Sequence, residues 1–215
     1  MHPDHRSIWA RGLLLWALAL LVPFGGMLWI CPDGLCTVPP VDAAVLAAMN
    51  TLRGPAGDAL ASGWTWLGSI YVLAPLLLGL AILLVRRGRA DEAMFVFAAM
   101  AGAVALCQTF KYWVLRPRPG LHELVGHLPA DPSFPSAHSM QAAAGLLILA
   151  LLAPASWRWT ALVLAIAGAC GVALTRLYLQ VHFPSDVVVG LLAGWLWVLG
   201  CRTLLLQRTH LPELG

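Results

Sequence analysis

The chain has 215 residues, of which 60% are hydrophobic and 11% charged, with a formal charge of +3 and a mean hydropathy of +0.80. Soluble domains carry charge on about a quarter of their residues, so a water-soluble globule is excluded, and the long apolar stretches exclude a disordered chain. The basic excess is small and scattered, which excludes nucleic acid as a partner and leaves one membrane-embedded domain over residues 1–215.

Backbone polar groups in hydrocarbon must be satisfied within their own segment, so long apolar runs predict membrane helices. Six runs are predicted to span: Leu13 to Ile30, Trp64 to Val85, Ala93 to Leu115, Ala137 to Leu152, Thr160 to Leu179 and Val187 to Leu206. The first could instead be a cleaved signal peptide behind the basic flank of His2, His5, Arg6 and Arg11, but no clear small-x-small cleavage site follows it. Val41 to Leu52 is apolar but too short to cross, and is predicted to lie as a helix at the outer surface. The expected fold is therefore all-α and polytopic, with six transmembrane helices and a short periplasmic surface helix. No internal repeat or linker divides it.

Twelve of the thirteen basic residues are arginine, and Lys111 is the only lysine. With the N-terminus inside, Arg6, Arg11, Arg86, Arg87, Arg89, Arg158, Arg202 and Arg208 fall at inner ends. Arg53, Lys111, Arg116, Arg118 and Arg176 fall outside, and the positive-inside rule gives N-in and C-in. Cys31 and Cys36 share the first outer loop, where a disulfide is allowed but not required, whereas Cys107, Cys170 and Cys201 read as small apolar residues within spans.

Ionisable residues at the edge of a span mark functional candidates, because they are costly there unless paired or wet. Three groups end on the same side: Lys111 with Arg116 and Arg118 after span three, Pro135-Ser136-Ala137-His138 opening span four, and Thr175-Arg176 with His182 and Asp186 between spans five and six. Singly, each has an ordinary explanation as a snorkelling base, a helix cap or an interfacial histidine.

Together they form a pattern: Lys111, six residues, Arg118-Pro119; Pro135-Ser136-x-His138; Arg176, five residues, His182, three residues, Asp186. This three-part signature resembles that of the type 2 phosphatidic acid phosphatase family, integral membrane lipid phosphate phosphatases related to vanadium haloperoxidases. Two positions depart from it: Ala137 stands where the family has Gly, and Thr175 where it has Ser. Alanine keeps its N–H as a phosphate donor but loses glycine's dihedral freedom.

Phosphoryl transfer needs positive charge around the equatorial oxygens and an in-line nucleophile. The resemblance implies that Lys111, Arg118 and Arg176 supply the charge, while Ser136 and the N–H groups from Ala137 onward offer a helix N-terminus, a ready anion site. It makes His182 the nucleophile, oriented by Asp186, with His138 protonating the leaving oxygen and then activating water. Asp186 would raise the pKa of His182, and the cations would lower it.

A metal is the competing reading of His122, His127, His138, His182 and Asp186, but their spacing matches no familiar zinc motif and three fixed cations would repel a divalent ion. No cofactor is expected. His122, Glu123 and His127 read as solvated loop residues. Arg116 is extra to the pattern, and contact with a lipid headgroup or with the second phosphate of a diphosphate are its two readings.

The expected substrate is a membrane lipid phosphate or diphosphate in a bacterial inner membrane, with the site facing the periplasm. Undecaprenyl pyrophosphate comes first, then phosphatidic acid or phosphatidylglycerol phosphate. A lipid phosphotransferase or lipid A 1-phosphatase is the neighbouring alternative, and an anion or lipid transporter the more distant one.

Overall fold

The computed structural model describes residues 5–126 and 129–206; His127 and Arg208 lie outside them. Eight α-helices and no strand occur among the described residues: α1 (His5–Ile30), α2 (Pro40–Thr51), α3 (Pro55–Trp64), α4 (Ile70–Arg86), α5 (Ala90–Val114), α6 (Ala137–Leu152), α7 (Arg158–Tyr178) and α8 (Pro184–Leu205). Proline opens α2, α3 and α8, where its missing N–H would have had no helical partner and its fixed φ suits the first turn.

Five stretches are long and apolar enough to cross a membrane: Arg6–Ile30, Pro55–Arg86, Ala90–Val114, Ala155–Tyr178 and Pro184–Leu205. The fourth predicted span, α6, has 16 residues and rises about 24 Å, less than the roughly 30 Å of a hydrocarbon core. It is an interior helix. Neighbours α4, α5, α7 and α8 all pack on it, and most positions from Ser139 to Leu151 are buried.

Packing this close depends on small residues. A Cβ at Gly190 would stand 2.8 Å from the Ser136 carbonyl oxygen, and one at Gly194 2.7 Å from that of Met140. These two glycines, one helical turn apart, let α8 lie directly against the start of α6, as small-xxx-small faces do between membrane helices. On the far side of α8, Gly200 makes room for Trp16 of α1, whose indole stacks on Trp197 at 5.2 Å between centroids.

Two stretches differ from the sequence expectation. The second run does not begin as one helix at Trp64: α3 occupies Pro55–Trp64, a 3-10 turn follows at Thr65–Gly68, and α4 starts at Ile70, with the Ser69 hydroxyl accepting from the Tyr71 N–H at 3.3 Å. The break lets Gly68 lie against α6, where any Cβ would come within 2.6 Å of the His138 carbonyl oxygen. Helix α2 forms where a surface helix is expected, yet it is not merely superficial. Leu46 is fully buried among Leu177, Phe183 and Val187, and Asp42 in its first turn is buried too. Cys31 and Cys36 are joined in a disulfide.

Gly190→Ala should therefore destabilise the protein by about 1–3 kcal/mol through overpacking and lower any activity that depends on Ser136. Gly25→Ala in α1, with nothing within 4 Å of the added carbon, should be neutral or stabilise by about 0.5–1 kcal/mol. Thermal unfolding of the purified protein in detergent checks the contrast, and equal shifts would refute it.

Candidate active site

Four helix ends converge at one end of the bundle. Lys111 lies in the last turn of α5, Ser136 caps α6, Arg176 lies in the last turn of α7, and Asp186 lies in the first turn of α8. Antiparallel neighbours bring these ends together although they are far apart in sequence.

His182 sits in the short turn between α7 and α8 and is buried. That turn is tight, with Gln180 in the left-handed region at φ 59° and the Val181 N–H bonded to the Arg176 carbonyl at 3.2 Å. Arg118 Nη1 lies 3.0 Å from His182 Nε2. A guanidinium can only donate, so Nε2 is the accepting nitrogen and the ring proton of neutral His182 resides on Nδ1. Nδ1 faces Ser133 Oγ at 3.3 Å and Asp186 Oδ2 at 3.4 Å. The Ser133 hydroxyl spends its own proton on Asp186 Oδ2, which also accepts from the Phe183 N–H at 2.9 Å. Burial, followed by the positive charges of Arg118, Arg176 and Lys111, pushes the His182 pKa well below its ordinary value. The imidazole is therefore neutral, with its lone pair turned toward the cations.

Arg118 is gripped on several sides. Its Nε donates to the Asp131 carbonyl at 2.9 Å, Nη1 to the Val181 carbonyl at 2.8 Å, and Nη2 to Asp131 Oδ1 at 2.8 Å. The buried Lys111 ammonium pairs with Asp131 Oδ2 at 2.9 Å and donates to the Pro132 carbonyl. Burial raises the Asp131 pKa, but Lys111 and Arg118 outweigh it and hold the carboxyl at about 2. Arg176 donates from Nη1 to Thr65 Oγ1 at 2.8 Å, and its buried Nε has no partner, a donor without an acceptor.

At the start of α6 the Ser136 hydroxyl accepts from Ser139 Oγ at 2.9 Å, and its N–H bonds to the Asp186 carbonyl at 3.0 Å. The first-turn N–H groups of Ala137 and His138 have no acceptor within their own helix. Together these groups form a cationic cluster around the accepting nitrogen of His182, which suits an anion with several oxygens and an electrophilic centre. Among the described residues no three His, Cys, Asp or Glu side chains gather as a metal site needs.

The sequence profile of the PAP2 superfamily matches residues 92–210. The chain belongs to the PAP2 superfamily. It is 31% identical over 134 residues to the undecaprenyl-diphosphatase of Sulfolobus acidocaldarius, an alignment that spans 60% of this chain and 62% of that one. It is 33% identical over 162 residues to the decaprenylphosphoryl-5-phosphoribose phosphatase of Mycobacterium tuberculosis, covering 73% and 86%. Among solved structures, a transmembrane PAP2-type phosphatidylglycerolphosphate phosphatase from Bacillus subtilis shares the fold with a TM-score of 0.75 at 24% identity, over 94% of this chain and 98% of that one.

The PAP2 signature residues of this chain thus gather at one site, but Arg116 does not join them as a second-phosphate contact. It is buried, and its Nη1 bonds to Asp186 Oδ1 at 2.6 Å and Ser185 Oγ at 2.7 Å. Its Nη2 bonds to Asp42 Oδ2 at 3.0 Å and the Thr37 carbonyl at 3.2 Å, while the guanidinium lies 4.0 Å above the Phe183 ring. Both Nη groups are thus committed, to two carboxylates, a hydroxyl and a carbonyl, and the fork is not free to grip a second phosphate. Thr175 likewise turns its hydroxyl onto its own helix, bonding the Val172 carbonyl at 2.6 Å. His122 and Glu123 line a separate cleft with Arg53 and Asp58.

Sequence reasoning missed Asp42, Thr65, Asp131 and Ser133. Asp131 alone left a signal, as the single acidic residue between Glu123 and Asp186.

Arg116→Ala should leave Asp42 and Asp186 as uncompensated buried charges, and unfolding should become easier by about 3–5 kcal/mol. Arg116→Lys should recover only part of this, since an ammonium cannot span both carboxylates as the planar fork does. Thermal or denaturant unfolding in detergent tests both, and a wild-type midpoint for Arg116→Ala would refute the assignment.

Proposed function

We propose that this chain is an integral membrane lipid phosphatase that removes a phosphate or diphosphate headgroup through a phosphohistidine on His182, without a metal. The observation that carries the reading is the pairing at His182: Nε2 accepts from Arg118 while Nδ1 is turned to Ser133 and Asp186. This arrangement holds one tautomer and one ring orientation beside three cations, which is what in-line attack on phosphorus requires.

In the first step the Nε2 lone pair forms a bond to phosphorus, and the bond from phosphorus to the leaving oxygen breaks. His138, at the start of α6, is held neutral in the empty site, because burial and then Arg176 and Arg118 push its pKa down. Once a phosphate dianion binds beside it and offsets those cations, His138 takes up a proton from water and passes it to that oxygen. In the second step neutral His138 takes a proton from water as the water oxygen bonds to phosphorus and the N–P bond breaks, releasing inorganic phosphate and restoring neutral His182. Lys111, Arg118, the unpartnered Nε of Arg176 and the first-turn N–H groups of α6 neutralise charge on the equatorial oxygens. Asp186 and Ser133 hold the imidazole.

A lipid phosphate substrate is supported by the apolar helices around the site and by relatives named for polyprenyl-linked phosphates. Undecaprenyl pyrophosphate is the first compound to test, on the strength of the relative named for it. Phosphate release by the purified protein from a panel of isoprenyl diphosphates, isoprenyl monophosphates, phosphatidic acid and phosphatidylglycerol phosphate tests the function. Release should persist after exhaustive chelation, and His182→Ala should abolish it in a protein that still purifies folded. Restoration by zinc or magnesium after chelation, or substantial turnover by His182→Ala, would overturn the mechanism.

The arginines at the opposite end, including Arg86, Arg87, Arg89, Arg158 and Arg202, support an inner-membrane topology with both termini inside and the site facing outward. A cysteine at the exposed Gly120, beside the site, should react with an impermeant thiol reagent in spheroplasts, and one at the exposed Arg87 should not. The reverse pattern would turn the site inward.

A further inference from the structure

The cations assigned to phosphate are not without an anion. Lys111 and Arg118 each pair with a different oxygen of Asp131, at 2.9 and 2.8 Å. One carboxylate thus bridges two cations as two oxygens of a phosphoryl group would. Asp131 is also the least enclosed member of the cluster: its side chain is 35% exposed, against 0% for Lys111 and 5% for Arg118.

Resting on the reading of Lys111 and Arg118 as phosphate ligands, we infer that Asp131 is a built-in stand-in for the substrate phosphate, one that occupies the cradle when it is empty and swings out toward solvent when a phosphate enters.

Three observations carry this. Without an anion, two cations at the mouth of an apolar bundle would face each other uncompensated, and the third cation, Arg176, adds to that repulsion. A phosphate and the Asp131 carboxylate cannot both hold Lys111 and Arg118, because like charges sharing those donors repel strongly in a poorly solvated site. Rotation of the Asp131 side chain need not disturb Arg118, since its Nε bonds to the Asp131 main-chain carbonyl and Nη1 to that of Val181. The backbone contacts hold the guanidinium while the side-chain contact exchanges. Binding then becomes a competition between a carboxylate tethered in place and the free phosphoryl group. Anions no stronger than a carboxylate lose that competition, which gives the site selectivity for phosphate over other anions at the membrane surface.

The competing explanation makes Asp131 a permanent bracket that holds Lys111 and Arg118 in place while phosphate binds elsewhere. Isothermal titration calorimetry of the full chain in detergent with orthovanadate, a phosphate mimic, separates the two without requiring turnover. Asp131→Asn keeps the shape and removes the competing charge, so it should bind orthovanadate at least about tenfold more tightly than wild type. The KM for a lipid phosphate should fall with it. Asp131→Glu restores the charge and should return binding to within about threefold of wild type. Unchanged or weaker orthovanadate binding in Asp131→Asn, or binding by Asp131→Glu as tight as by Asp131→Asn, would overturn the inference. If wild type binds orthovanadate, Arg118→Ala does not and Asp131→Asn matches wild type, only the stand-in role fails. If neither wild type nor Asp131→Asn binds orthovanadate, the cradle assignment fails as well.

Discussion

Asp186 divides its two oxygens between different tasks. Oδ1 takes the Arg116 guanidinium at 2.6 Å, while Oδ2 faces the His182 ring and accepts from Ser133 and the Phe183 N–H. A fully buried carboxylate is tolerated only when paired and hydrogen-bonded, and this one is satisfied by groups from the loop after α5, the segment before α6 and the turn before α8. The Asp186 main-chain oxygen also receives the Ser136 N–H, which fixes α6 against α8. The orientation of His182 and the register of the surrounding segments therefore rest on the same residue. Arg116 extends this chain outward to Asp42, which also accepts from the N–H and hydroxyl of Ser185. Helix α2 is thereby tied to the first turn of α8.

Much of the architecture was legible because it is local. Runs of apolar residues give membrane-type helices at nearly the expected positions, and prolines and a serine cap mark several of their starts. The signature spacing names Lys111, Arg118, Ser136, His138, Arg176, His182 and Asp186, and all of them lie where the four helix ends meet. What spacing cannot supply is the partner of a buried charge. Asp42 and Ser185 are 143 residues apart, and the first turn of a short amphipathic helix gives no hint that its aspartate is needed elsewhere.

Arg116 shows the same limit. It stands two residues from Arg118, yet the two side chains go opposite ways: Arg118 toward His182, and Arg116 toward Asp42 and the far side of Asp186. Leu115, in the left-handed region at φ 52°, ends α5 just before them, and the non-helical backbone beyond places each side chain by its own bonding rather than by helical period. The break between α3 and α4 is another tertiary decision. Its sequence is mostly apolar and carries no charge, but Gly68 lies against the His138 carbonyl and Thr65 meets Arg176, contacts that the local sequence does not announce.

Removing Arg116 from the substrate's reach also changes where selectivity has to arise. On the proposed reading, Lys111, Arg118 and Arg176 enclose the one phosphoryl group that His182 attacks, and each is needed whichever lipid carries it. A cradle of this kind reads the reacting phosphate and is indifferent to what lies behind the leaving oxygen. Discrimination between monophosphate and diphosphate lipids then falls to groups beyond the leaving oxygen. Discrimination between tails falls to the apolar helix faces along which the lipid lies, where one methylene more or less is worth only about 1–3 kcal/mol. On that reading the seven residues commit the site to phosphoryl transfer, while any preference among lipids rests on many small contacts outside them.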